Sequence, residues 1–203
     1  MTSLMNLGNN RRKIAVFIDS GNLWNAYKSI HKLLDFSKFK PFFENKFDGE
    51  IFKIFYYVAF PQDGTRKQGD IERLHKFFTY LKKGLGFEVI KKPLKMINQR
   101  DRNGNLIYDQ KTGIIQTIEK GNFDVELTID AMRYSSAYDT AILLSGDSDF
   151  LPLISHLRNL KNKKLVYIFS TEGSVSMELK TGTDGYFDLK EYSELHGKDL
   201  IEK

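Results

Sequence analysis

Residues 14–22, IAVFIDSGN, and 140–150, TAILLSGDSDF, carry the reading on which the fold turns. In each, an apolar run (residues 14–18 and 141–144) stops at a small-residue turn that holds aspartate. An uninterrupted apolar run of that length fits a strand buried on both faces, and the polar residues behind it end the strand. Working outward, further strands are expected at 51–60 (IFKIFYYVAF), 87–90 (FEVI), 164–169 (KLVYIF) and 186–189 (YFDL). Helical periodicity fills the gaps. A helix capped by Asn22 turns Leu23, Ala26, Tyr27, Ile30 and Leu34 inward, and one over 66–83 does the same with Ile71, Leu74, Phe77, Phe78 and Leu81 before Gly84 and Gly86 end it. Another starts near Phe123 or Asp124 with Val125, Ile129 and Met132 on one face, and others fall at 148–161 and near 174–180. Strands alternating with helices imply parallel βαβ units, hence an α/β fold whose sheet is covered on both faces.

Two segments stand outside this alternation. Phe36, Phe39, Phe42, Phe43 and Phe47 are interleaved with lysines. That pattern suits an amphipathic helix packed in the core or a surface that stacks on nucleic-acid bases, and core packing is the preferred reading. Residues 93–119 carry turn signals at 101–105 and 112–113 between short β-like runs, so a hairpin-like insertion is expected. With no repeat or linker to divide the chain, the organisation read is a flexible tail at 1–12, one domain at 13–190 and a C-terminal tail at 191–203.

The chain has 203 residues and a net charge of +5, unevenly spread. Residues 1–102 hold 20 Lys+Arg against 10 Asp+Glu, whereas 103–203 hold 11 against 16. A basic half beside an acidic half suits a polyanion partner and a carboxylate cluster, or simply a mixed, soluble surface, which charge alone favours. The absence of cysteine removes disulfide scaffolds, thiolate metal sites and cysteine nucleophiles. No apolar stretch is long enough to span a membrane, and the polar N-terminus lacks the apolar segment of a secretory signal, so a cytoplasmic protein is expected.

The acids are placed for chemistry. Asp19 ends the first strand, Asp147 and Asp149 follow the fourth, and Asp124 opens a helix. In a parallel sheet, ligands gather beyond the carboxyl ends of the strands where strand order reverses, so these four are expected to converge. Converging carboxylates repel unless a cation lies between them, and an all-oxygen donor set suits Mg²⁺ or Mn²⁺. Asp130 falls about 120° round the helix from Asp124 and has Arg133 at i+3 as an ordinary partner. Lys91, Lys92, Lys95, Arg100, Arg102 and Lys111 form the densest basic stretch, suited either to phosphate contacts or to a soluble exposed hairpin. Trp24 and Tyr27, just past the first acid, offer rings for stacking, Tyr27 being better placed for the core.

FIDSGNL, KGNFDVELTIDAM and YDTAILLSGDSDFLPLISHLRNLKNKKLVYIF, together with EGSVS at 172–176, resemble the NYN domain family in its bacterial LabA-like branch, part of the PIN-like nuclease superfamily. The similarity runs in order over 13–190. It implies a PIN-like αβα sandwich with a mainly parallel sheet, and metal-dependent cleavage of RNA, single-stranded in the reading taken here, by Asp19, Asp124, Asp147 and Asp149. By the same resemblance Asn22 orients water or phosphate, Ser145 is the small hydroxyl residue before the aspartate pair, and Asp130 matches a recurrent acid. The other reading is a regulatory RNA- or protein-binding module of the same fold with little turnover; a homo-oligomer is compatible with both. Competing chemistries lack their residues. Gly21 stands where a haloacid-dehalogenase-type phosphatase needs a second aspartate, SGDSD is not a nucleophile elbow, no Walker A or G-x-G-x-x-G occurs, and none of the four histidines has a catalytic context.

Overall fold

The computed structural model describes residues 11–61 and 65–200; most of the N-terminal tail and of the Pro-Gln-Asp-Gly turn, and residues 201–203, lie outside that range. In chain order the elements are β1 (Arg12–Asp19), α1 (Ser20–Ile30), β2 (Lys32–Leu34), α2 (Phe39–Lys46), β3 (Gly49–Phe60), α3 (Gln68–Thr79), β4 (Glu88–Pro93), β5 (Lys95–Asn98), β6 (Thr117–Lys120), α4 (Asp124–Arg133), β7 (Thr140–Leu144), α5 (Leu151–Asn159), β8 (Leu165–Ser170), α6 (Met177–Gly182), β9 (Gly185–Asp188) and β10 (His196–Asp199).

The central sheet runs β4-β3-β1-β7-β8-β9, and every neighbouring pair is parallel. From β1 the chain builds outward through β3 to β4, then returns to the other side of β1 and builds through β7 to β9. The reversal therefore falls between β1 and β7, where Ile18 lies opposite Leu144. β7 is buried along its whole length, as its apolar run requires. Side chains alternate across the sheet. Ile14, Val16 and Ile18 join Leu23, Ala26, Phe39, Phe43 and Phe78 on the face covered by α1, α2 and α3. Ala15 and Phe17 join Leu127, Ala131, Leu153, Leu157 and Leu179 on the face covered by α4, α5 and α6. This is the expected α/β sandwich.

Details differ where local sequence is ambiguous. Phe36, Phe39 and Phe43 are buried, so the Phe-rich segment is core rather than a stacking surface. Leu34 is not on α1: that helix stops at Ile30, His31 adopts a left-handed φ of 53°, and Leu34 lies in β2. α3 gives way at Tyr80–Gly84 to one wider π-helical turn. The face of α4 is the opposite of that expected. Leu127 and Ala131 are buried, whereas Val125, Ile129 and Met132 are 67%, 46% and 43% exposed.

The insertion is more elaborate than one hairpin. β5 and β6 form an antiparallel stem with Ile97 opposite Ile118. At its tip the amides of Gln99, Gln116 and Ile107 donate in a ring to the carbonyls of Gln116, Ile107 and Gln99, at 2.8, 2.8 and 3.0 Å. Two small hairpins branch from this junction, turning at Gly104 and Gly113, both at positive φ. The segment read as a C-terminal tail is packed where it is described. Leu195 is fully buried, and β10 pairs antiparallel with β2.

Candidate metal centre

Each acid is delivered by the end of a regular element. β1 runs out at Asp19, whose extended backbone makes it the N-cap of α1. Its Oδ1 accepts from the amides of Gly21 at 3.0 Å and Asn22 at 3.3 Å, as an N-cap carboxylate does. Its Oδ2 accepts from Asn22 Nδ2 at 2.6 Å and from the Ser145 hydroxyl at 3.4 Å. Across the strand reversal, Ser145 and Gly146 follow β7 and lead to Asp147. Asp147 caps the short 3₁₀ turn before α5, its Oδ1 accepting from the Asp149 amide at 3.0 Å. The Ser145 Oγ also accepts from the Asp147 amide at 3.2 Å, so one buried hydroxyl joins the two turns. A Cβ at Gly146 would overlap the carbonyl of Ser174, because the loop after β8 crosses directly over this turn. Only glycine fits that crossing.

Asp124 enters from α4. Its amide donates to Asn122 Oδ1 at 2.7 Å, a turn that starts the helix and aims its first carboxylate at the β7 end. Carboxylate oxygens of Asp124, Asp147 and Asp149 lie within 4.8 Å of one another. Burial raises the Asp124 pKa above the ordinary carboxyl range, the negative charges of Asp147, Asp19 and Asp149 raise it further, and the Asn122 side chain opposes them. Among the described residues, no Lys or Arg forms an ion pair with any of the three.

Three of the four expected acids are thus brought together. Asp19 is close enough for its charge to act on Asp124, but it stands outside the three-acid group and its oxygens are engaged by its own chain. Asn22 and Ser145 both hold Asp19. Asp130 belongs elsewhere: its Oδ2 accepts from the buried Tyr57 hydroxyl at 3.2 Å and its Oδ1 from Arg133 at 2.8 Å. Burial, and then the Asp130 charge, push that hydroxyl's pKa far above its ordinary value.

The basic residues are scattered. Lys92 donates to Glu126 Oε1 at 2.5 Å and to the Asn122 carbonyl at 3.2 Å, within reach of the acid-bearing turn. Lys95 and Lys120 line the same hollow of about 290 Å³ with Lys92 and Asn122. Lys91, one residue along β4, points to the other face, its ammonium 5.7 Å from the Phe78 ring. Arg100 donates to the Gly104 carbonyl of its own turn, and Arg102 and Lys111 are exposed on the two branches. Sequence reasoning missed Asn122, Glu126 and Lys120. An Asn-x-Asp spacing before a helix was the available signal for the first; nothing local marks the other two.

The donor set fits a hard divalent cation: three carboxylates in hand, no sulfur or imidazole among them, and, among the described residues, no Lys or Arg ion-paired with them.

Known proteins are similar to this chain over most of its length. One protein similar to this chain, over 181 residues at 28% identity, is the Low amplitude and bright protein LabA of Synechococcus elongatus, with 88% of this chain and 84% of that one covered. A solved structure of a protein of unknown function from Vibrio parahaemolyticus shares the fold with a TM-score of 0.61 and 23% identity, over 93% of this chain and 96% of that one. The model of the NYN domain matches residues 13–190, from the start of β1 past β9 and so across every acid described above; the chain belongs to the NYN domain family.

Proposed function

We propose that the protein is a metal-dependent ribonuclease that hydrolyses phosphodiester bonds of single-stranded RNA at Asp124, Asp147 and Asp149. The observation that carries this reading is the gathering of three carboxylates at the strand reversal with no Lys or Arg, among the described residues, ion-paired to them. A family that belongs to a nuclease superfamily supports it. Mg²⁺ or Mn²⁺ held there supplies neutralisation of phosphate oxygens and a lowered pKa for a coordinated water. The chain's own groups do the positioning. Asp147 is pinned through the Asp149 amide, Ser145 sets the spacing between the two turns, and Asn22 fixes Asp19 as the fourth, outer acid. Lys92 and Lys95, with Lys120, take the strand's phosphates in this reading, while Lys91, Arg100, Arg102 and Lys111 lie on other surfaces.

Replacing one acid tests it. Asp147→Asn is expected to cut Mn²⁺- or Mg²⁺-dependent degradation of single-stranded RNA by more than about a hundredfold with the circular dichroism unchanged, since even an indirect partner of a metal ligand is worth about ten- to a hundredfold. An unchanged rate in that variant, or no metal-dependent cleavage by the wild type, overturns the proposal. RNA bound but never cut by the wild type identifies the binding module instead.

A further inference from the structure

On the same sheet edge, across from α4, is a trough of about 690 Å³ lined by Trp24, Pro61, Leu74 and Phe77, with Arg66, Asp70 and Arg73 at its border. Trp24 is the chain's only tryptophan and is 47% exposed. It lies on α1 five residues after Asp19, edge-on to Tyr27 at 6.1 Å, with the Lys28 ammonium 5.9 Å from its ring centre. Pro61 follows the last residue of β3, the strand whose Tyr57 lies beside Asp19. The trough therefore opens beyond the carboxyl ends of β1 and β3, as the acids open beyond β7.

We propose that this trough takes a nucleobase of the single-stranded polynucleotide whose backbone passes the acid cluster, with Trp24 as the stacking platform. The inference rests on the nuclease reading for the identity of the strand. Charge decides the kind of occupant. Arg66 is ion-paired with Glu119 of β6, and Arg73 with Asp70, so the two guanidiniums at the border are already neutralised by carboxylates of the chain. What remains is an apolar wall with a half-exposed indole, which suits a neutral planar ring better than a phosphate. Lys28, whose ammonium lies beside the indole, adds a cation for the backbone on this side to those of Lys92, Lys95 and Lys120. The Arg66–Glu119 pair also ties the insertion stem to the border of the trough.

A single tryptophan makes the test direct. Wild-type protein in EDTA, which prevents cleavage, is titrated with a short single-stranded RNA while tryptophan emission and the anisotropy of a labelled strand are followed. Saturable quenching with the same Kd as the anisotropy change is expected, and an abasic site at one position of the strand should abolish most of it. Trp24→Leu should weaken RNA affinity roughly tenfold, within the range for loss of one stacked base, and raise KM with kcat within about twofold. RNA binding without quenching, or full affinity in Trp24→Leu, overturns the proposal and leaves the trough to a protein segment. The two readings fail separately. Quenching without metal-dependent cleavage sinks the nuclease and keeps the base site; cleavage without quenching does the reverse.

Discussion

Asp124 and Asp130 sit on one helix, six residues apart, and do unrelated things. Asp124 is pressed by burial and by neighbouring acids until it holds its proton more tightly in the folded chain than in the unfolded one. The sign follows. A carboxyl with a raised folded-state pKa contributes most stability below its unfolded pKa, and that contribution is lost as pH rises through the raised value. Asp124→Asn should therefore raise Tm at neutral pH in EDTA and lose that advantage near pH 4 and below, as thermal melts across the range would show. Metal affinity runs the other way, since a coordinating carboxylate must be ionised, and it should fall as pH drops through the raised pKa. Asp130 instead accepts from Tyr57, a residue 73 positions away. From the sequence its Arg133 neighbour was legible and its Tyr57 partner was not, because nothing local says which buried hydroxyl a helix will meet. The same holds for Asp19. Its position at a strand end could be read directly, but the two turns that saturate its oxygens could not.

At the scale of elements, the strands were the easiest to read and α4 the hardest. β1 and β7 hold continuous apolar runs buried on both faces, and β3 holds one over its middle, residues 54–57, so no choice of face arises there. α4 presents such a choice, and its bulkiest apolar residues point the wrong way. Its inward surface carries Asp124 for the acid cluster and Asp130 for Tyr57, which leaves Leu127 and the small Ala131 to pack. A helix that serves a site spends inward positions on polar groups, and hydrophobic periodicity then misleads. Truncation distinguishes the faces. Leu127→Ala should cost about 2–5 kcal/mol of unfolding free energy in urea, whereas Val125→Ala should change it by no more than about 0.5 kcal/mol. The insertion was legible as turns and short strands. Its branching was not, because the ring of amides that joins Gln99, Ile107 and Gln116 uses backbone groups alone and any sequence could supply them.

For the whole molecule, the acidic excess of the second half includes the three-carboxylate cluster. Metal binding to the folded chain alone should raise Tm by mass action. At a hundredfold excess over Kd the gain is about 2.7 kcal/mol, or roughly 5–10 °C for a chain of this size. Differential scanning fluorimetry in Mn²⁺ should show it for the wild type and not for Asp147→Asn. The reversal of strand order between β1 and β7 was implied once the acids were expected to meet there, and it is what makes the sandwich two-sided. The far end of the chain has a separate importance. Leu189 and Leu195 are fully buried against the face that α1 and α2 cover, Asp35 donates its amide to the Leu195 carbonyl at 2.8 Å, and β10 pairs with β2. On a ribosome, the aromatic cluster around Phe36, Phe39 and Phe43 is made long before these partners emerge. That half of the core must wait, unclosed, through the synthesis of some hundred and fifty residues, until Leu189 and Leu195 are in place.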